Sequence, residues 1–211
     1  MDKRKPIEQL AERYKQLEFL IPEIEKAATA IIDSYSKGGK VLVCGNGGSA
    51  SDADHIVGEL MKSFERKRPL KQEIQTELEK IAGERGVYLA TNLQQGLPAI
   101  SLNAHSALIS AVANDIDAEV VYAQQVAGYA NSGDVLIGLS TSGNSQNVID
   151  ALAVAKAKGV VTIGMTGKTG GKMKDICDIL INVPETRTAF VQELHLPVYH
   201  TICMMVEDYF F

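Results

Sequence analysis

Val41-Leu42-Val43-Cys44-Gly45-Asn46-Gly47-Gly48-Ser49 passes from an unbroken apolar run into a turn of small residues. The run does not alternate, which suits a strand buried on both faces. Residues 49–64 then carry helix-like spacing. A strand–turn–helix passage of this kind presents backbone N–H groups and a hydroxyl at the positive end of a helix dipole, an arrangement that suits a phosphate. Ser140-Thr141-Ser142-Gly143-Asn144-Ser145 repeats it after Val135–Leu139. One Gly- and Ser-rich turn is ordinary punctuation. Two of them, each between an apolar run and a helix, point to a phosphorylated small molecule.

Working outward, five apolar runs read as buried strands: Val41–Cys44, Ala99–Leu102, Val135–Leu139, Val160–Met165 and Ile179–Val183. Helix-like segments at 49–64, 106–129, 144–158 and 171–176 separate them, and a last helix covers 190–209. The predicted fold class is α/β, a five-stranded parallel sheet sandwiched by helices. In the common strand order 2-1-3-4-5, strands 1 and 3 are neighbours whose helices leave on opposite faces. Both turns then meet at a topological switch point, where open α/β sheets bind ligands. Ahead of the sheet, Ile7, Leu10, Tyr14, Leu17, Ile24, Ala28 and Ile31 keep helical spacing, and Pro22 is expected to divide them into two helices. The charged stretch 66–97 interrupts the strand–helix rhythm and reads as a helical insertion at an edge or a subunit contact.

The chain has 211 residues, 45% apolar and 22% charged, with a net charge of −5. These values fit one soluble domain and argue against nucleic acid as the main ligand. No run approaches the roughly 18 apolar residues of a membrane span. Met1-Asp2-Lys3-Arg4-Lys5-Pro6 has no signal-peptide core behind it. Cys44, Cys177 and Cys203 are scattered without a CxxC, which suits reduced thiols in a cytoplasm.

His55 and Glu59 are four apart on the helix after the first turn, so they share one face. The plainer reading, a solvated Glu beside a partly buried His, stands next to a functional one. Gln192-Glu193-Leu194-His195-Leu196-Pro197-Val198-Tyr199-His200 adds a second imidazole source. A carboxylate and an imidazole in a cleft make an acid/base pair. His55, Glu59 and His200 could also hold a divalent metal, with Gln192 as a weak oxygen ligand. Eight helical residues span about 12 Å. Gln192 and His200 therefore meet one ion only if they reach from either side, if Pro197 bends or starts the helix, or if they come from different subunits. His195 reads as a packing residue. Asp115, after Asn114, reads either as a contact for sugar hydroxyls or as a helix cap. Thr166-Gly167-Lys168-Thr169-Gly170-Gly171-Lys172 lacks the GxxxxGK[ST] spacing and reads as a turn. Gly45-x-Gly47-x-x-Ala50 satisfies a loose dinucleotide fingerprint, but Glu65 at the required distance ends a helix, not a strand.

Taken together, these pieces resemble the SIS (sugar isomerase) domain family. The matching residues are Cys44–Ser49 with Asp52 and His55, Glu59, Asn114-Asp115, Gly133-Asp134-Val135-Leu136, Ser140–Ser145, Thr166-Gly167 with Gly170-Gly171-Lys172, and Gln192-Glu193 through His200. They span nearly the whole chain apart from 66–97. The resemblance implies a single domain over 1–211 with a sheet of flavodoxin-like order. It implies a homotetramer with sites between subunits, to which the helices of 1–37 contribute. It further implies that Ser49, Ser140, Thr141, Ser142 and Ser145 hold a phosphate with Asn46 nearby, that Asp115 contacts the sugar chain, and that Glu59 and His200 are an acid/base pair. Several family members bind Zn2+ through the equivalents of His55, Glu59, Gln192 and His200, Gln192 also touching substrate. The implied activity is aldose–ketose isomerisation of sedoheptulose 7-phosphate to D-glycero-D-manno-heptose 7-phosphate through an enediol. The alternatives are another phosphosugar, or a non-catalytic member that senses phosphosugars or binds the replication initiator. That last branch lacks the Glu/His pair, which is present here. Phe190-Val191 and Pro197 depart from the family pattern.

Overall fold

The computed structural model describes residues 5–211; the first four residues of the charged amino terminus, which begin the 1–37 segment, lie outside the described residues. Strands β1 (Val41–Gly45), β2 (Ala99–Ser101), β3 (Val135–Ser140), β4 (Val161–Thr166) and β5 (Ile179–Asn182) form one parallel sheet in the order β2-β1-β3-β4-β5. The expected α/β class and strand order are both borne out. Val41 pairs with Ala99 on one side and Val135 on the other, and Ser140 pairs with Thr166.

Helices α1 (Pro6–Arg13), α2 (Ile21–Ser36), α3 (Gly48–Met61) and α8 (Thr188–Phe210) cover one face, while α5 (Ser106–Asp115), α6 (Val121–Tyr129) and α7 (Gln146–Ala157) cover the other. The apolar runs lack alternation because both faces are buried. Val41, Val43, Val135, Ile137 and Leu139 enter the first core, and Leu42, Cys44 and Leu136 enter the second. Each such side chain contributes about 1.5–3 kcal/mol by leaving water. Helices α3 and α7, which follow β1 and β3, lie on opposite faces, so the switch point is real.

One local expectation changes, and one alternative left open by the sequence closes. Pro22 does not divide the amino-terminal helices; it sits in the first turn of α2, where its missing N–H costs nothing. The division falls earlier, at Tyr14 and a 3-10 turn over Lys15–Leu20 that buries Leu17 and Leu20. Pro197 does not break the last helix either, since α8 runs from Thr188 to Phe210 with the proline inside it. The stretch 66–97 contains α4 (Gln72–Asn92), bent at Gly83, whose φ of 54° a side chain would disfavour. Beyond the bend Gly86 touches the Leu78 carbonyl, so the two halves lie against each other. Val87, Tyr88 and Leu89 are helical, and Ile74, Ile81, Val87 and Tyr88 are exposed.

The carboxyl end of α3 is tied to α8 by a buried pair. Arg68 and Glu207 are each 1% exposed, with Nε 2.8 Å from Oε1. Arg68 also donates to the carbonyls of Leu60 and Glu59, groups that a helix end leaves without partners. Glu207 accepts from the backbone N–H groups of Phe64, Glu65 and Arg66. Burial alone would raise this carboxyl, but the N–H donors and the Arg68 guanidinium hold it below the usual range. Its contribution is therefore complete above the ordinary carboxylate range and is lost as pH falls through the lowered value. Glu207→Ala strands a buried guanidinium and should cost about 3–5 kcal/mol in urea unfolding, whereas Arg68→Met with Glu207→Leu should recover most of it. Equal midpoints for the single and the double variant would refute this account.

Candidate active site

The two phosphate-type turns meet at the carboxyl ends of β1 and β3. In the first, Asn46, Gly47 and Gly48 are exposed and Ser49 is buried in the opening turn of α3. The Gly45 carbonyl accepts from Tyr122 Oη at 2.7 Å and Asn103 Nδ2 at 2.7 Å. The turns are joined directly: Asn46 and Asn147 exchange reciprocal amide hydrogen bonds of 2.8 and 3.0 Å. In the second turn, Ser140 Oγ and Ser145 Oγ are 2.9 Å apart, Ser142 Oγ accepts from Asn144 N, and Thr141 and Ser142 reach the surface.

The 166–172 loop braces the second turn. Gly167 N donates to Thr141 O, Met173 N to Gly143 O and Lys172 N to Asn144 Oδ1. Gly143 has a φ of 67°, and a Cβ there would lie 2.2 Å from the Gly170 carbonyl oxygen.

From Ser49, α3 carries Asp52, His55 and Glu59 along one side, and α8 lies against it. Glu59 is 8% exposed; its Oε1 is 3.1 Å from His55 Nε2, and its Oε2 accepts from Lys62 at 2.9 Å. His200 Nε2 is 3.4 Å from His55 Nε2, and the Phe64 ring packs over His200 with centroids 5.2 Å apart. Burial, then the neighbouring His55, lower the His200 pKa. The structure thus gathers His55, Glu59 and His200. Gln192 sits on the same helix but at the other end of the cleft: its amide lies where a Cβ on Gly48 would be, 2.5 Å from Nε2. With α8 unbroken, Gln192 lies beside the phosphate turn, apart from the two histidines.

Asp115 is not a helix cap. It ends α5 and accepts from Asn114 Nδ2, while Asp117 caps the next turn through Glu119 N. His195 is fully buried, donates from Nε2 to Thr166 O at 3.2 Å, and is lowered to about 4 by burial, so it packs α8 onto β4 as expected. Cys44 is buried and its thiol is pushed up to about 12 by that burial, which makes it inert. Asn103, Tyr122 and Asn147, which hold the first turn, carry no motif in the sequence. Asp52 and Tyr199 also belong to the cluster: Tyr199 Oη is 3.1 Å from Asp52 Oδ1 and 3.0 Å from His55 Nδ1. The Asp52-x-x-His55-x-x-x-Glu59 spacing signals the first of these, and nothing local signals the second.

Among the described residues, no group of three or more His, Cys, Asp or Glu side chains surrounds a ready cation position. His55, Glu59 and His200 come nearest. Their 3.1 and 3.4 Å separations match the edge of about 3.3 Å expected between tetrahedral ligands with zinc bonds of about 2.0–2.1 Å. Asp52 Oδ2 is buried without a partner, a negative charge that a cation beside His55 would offset. Two imidazoles and a carboxylate are the donor types that suit a divalent metal, so the residues fit one in chemistry.

A profile of the SIS domain matches residues 7–93 and 76–167. The chain is 40% identical over 194 residues to the phosphoheptose isomerase of Burkholderia pseudomallei, covering 92% of this chain and 85% of that one. It is 39% identical to that of Aneurinibacillus thermoaerophilus over the same shares. The solved phosphoheptose isomerase of Neisseria gonorrhoeae superposes with a TM-score of 0.73 at 32% identity, covering 96% of this chain and 91% of that one. That of Francisella tularensis gives 0.74 at 30% identity, with 94% and 92% covered.

Gly143→Ala should cost more than about 1 kcal/mol, because the new Cβ meets backbone and the φ disfavours it. The second turn must then leave the Gly170-Gly171 brace, so inorganic phosphate should bind more weakly in calorimetry. Wild-type stability and phosphate affinity together would refute the brace.

Proposed function

The chain belongs to the SIS domain family, and from that premise we propose that it isomerises sedoheptulose 7-phosphate to D-glycero-D-manno-heptose 7-phosphate. The observation that carries this reading is the clustering of His55, Glu59 and His200 on α3, which opens at the first phosphate-type turn, and on α8, whose Gln192 amide lies beside that turn. Relatives about 40% identical are named phosphoheptose isomerases, and the carboxylate–imidazole pair of an acid/base catalyst is present.

Ser49, Ser140, Thr141, Ser142 and Ser145 hold the phosphate, with Asn46 and the Gln192 amide at the rim of the same cleft. From Ser49 to His55 is six helical residues, about 9 Å. The substrate must be long enough to keep its phosphate at the turns while its C1 and C2 lie between Glu59 and His200. Binding energy at the phosphate then positions the reacting carbons. Glu59 removes the proton from one carbon and returns it to the other, and His200 moves the proton between the two oxygens. Burial and the neighbouring His55 lower the His200 pKa, which favours the neutral imidazole that can take a proton at one oxygen and give it at the other. Lys62 on Glu59 Oε2 leaves Oε1 as the working oxygen. Zn2+ held by His55, Glu59 and His200, with Gln192 completing the set after a rotation or from a neighbouring subunit, would polarise the substrate oxygens.

The helices of 1–37 and the exposed apolar residues of 66–97 supply contacts for a homotetramer with sites between subunits, where Asp115 of a neighbour would reach the sugar chain. Three unpaired cysteines suit a cytoplasmic setting, and no described helix is long and apolar enough to cross a membrane.

Glu59→Gln should lower kcat by about 10²–10⁴-fold while sedoheptulose 7-phosphate still binds. Turnover near the wild-type rate would remove Glu59 as the base, and wild-type binding without any heptose 7-phosphate product would favour a phosphosugar sensor. Chelation should lower the rate and added Zn2+ restore it; a rate indifferent to both would reject the metal.

A further inference from the structure

Tyr199 has one hydroxyl proton and two neighbours that could claim it. Its Oη lies 3.1 Å from Asp52 Oδ1 and 3.0 Å from His55 Nδ1. An ionised carboxylate only accepts. The other carboxylate oxygen, Oδ2, is buried with no partner, so losing the Tyr199 bond would leave Asp52 with no hydrogen bond at all. The proton therefore goes to Asp52. A phenol keeps its proton at neutral pH, so the hydroxyl has one hydrogen to give. Oη then turns its lone pairs toward His55 Nδ1, which must carry a hydrogen of its own.

The competing tautomer leaves the buried end unpaired. With hydrogen on Nε2, neutral His55 would donate to Glu59 Oε1 at 3.1 Å, but Tyr199 could serve only one of Asp52 and Nδ1. With hydrogen on Nδ1, Tyr199 donates to Asp52 and accepts from His55, so both buried contacts are made. The bare Nε2 then faces Glu59 Oε1 and calls for a donor or a cation between them, on the side where the His55 side chain is 41% exposed and His200 Nε2 stands 3.4 Å away. Lys62 offsets the Glu59 charge through Oε2. The tyrosine is 2% exposed, so water does not replace it, and its ring packs edge-on against both His55 and His200.

We propose that Tyr199, anchored on Asp52, is a positioning residue that fixes the hydrogen of His55 on Nδ1 and turns the Nε2 lone pair toward Glu59 and His200. Metal-ligating histidines commonly donate their other ring N–H to such a partner, which fixes the tautomer and raises ligand basicity. The value of the relay for a cation rests on the proposed role of His55 as a ligand; the tautomer itself does not.

The test uses metal-free protein labelled with 15N-histidine, studied by long-range 1H–15N correlation above the histidine titration range. The His55 signals are assigned by their loss in His55→Asn. The wild type should show hydrogen on Nδ1 and a bare Nε2. Tyr199→Phe, which removes one oxygen and keeps the ring, should shift His55 toward the Nε2–H form and weaken Zn2+ binding by about 10–100-fold in calorimetric titration. A wild-type Nε2–H tautomer overturns the proposal whether or not the variant folds, and so does a Phe variant with unchanged tautomer. A wild type that binds no Zn2+, yet shows Nδ1–H that Tyr199→Phe abolishes, upholds the relay and rejects the metal reading instead.

Discussion

The Glu207 carboxylate ties the helix that carries Glu59 to the helix that carries His200. It accepts from three consecutive N–H groups just beyond α3 and from Arg68, and Arg68 in turn closes the last carbonyls of α3, including that of Glu59 itself. A helix end left open frays, and fraying here would release the Glu59 carboxylate from His55. A buried ion pair is a poor source of net stability compared with an apolar pair of equal volume. Its use here is geometric: a guanidinium shared between Glu207 and the last carbonyls of α3, with a nest of N–H groups, fixes the register between α3 and α8, and the 3.4 Å contact between His55 and His200 depends on that register.

The opposite ends of the same helices are set by the sheet. Because β1 and β3 are neighbours with helices on opposite faces, the first and second turns open side by side, and the Asn46–Asn147 pair closes the gap between them. The third loop, 166–172, serves as a brace. Its glycines let its backbone lie against Gly143, and its N–H groups go to Thr141, Gly143 and Asn144. A loop with the look of a nucleotide cradle is thereby committed to holding another loop in shape.

The five strands were legible because burial on both faces demands continuous apolar runs, and the two turns because glycine and serine mark a strand-to-helix passage. Pro22 misled because a local rule about proline ignores where the helix begins, and the bend left open at Pro197 is absent for a related reason. Pro22 is harmless at a first turn. Pro197 is buried on α8, held by packing against the sheet and the amino-terminal helices. His55 and Glu59 were visible through their spacing on one helix. Tyr199 was not, since it lies in the apolar run Leu196–Tyr199 and its partner Asp52 is 147 residues away. Asn103 and Tyr122 hold the Gly45 carbonyl across gaps of 58 and 77 residues. Hydrogen bonds between distant elements leave no periodic trace, so only the fold reveals them. Gln192 marks the opposite case: its sequence distance from His200 already set the difficulty that the unbroken helix now makes concrete.

That difficulty bears on where the chemistry takes place. Proton transfer through an enediol needs a site that excludes water, since water competes for the proton and weakens every electrostatic contact. Within one chain the cleft is open. The His55 side chain is 41% exposed, and a cavity of about 350 Å³ runs from His200 between α1 and α8, past Arg13, Tyr14 and Glu65. No described residue closes it, while Ile74, Ile81, Val87 and Tyr88 of α4 leave apolar surface exposed. An assembly that buried the apolar surface and walled the cleft would meet both needs at once. This is the physical reason for placing the proposed sites between subunits, and for assigning a fourth metal ligand and the Asp115 contact to that shared space.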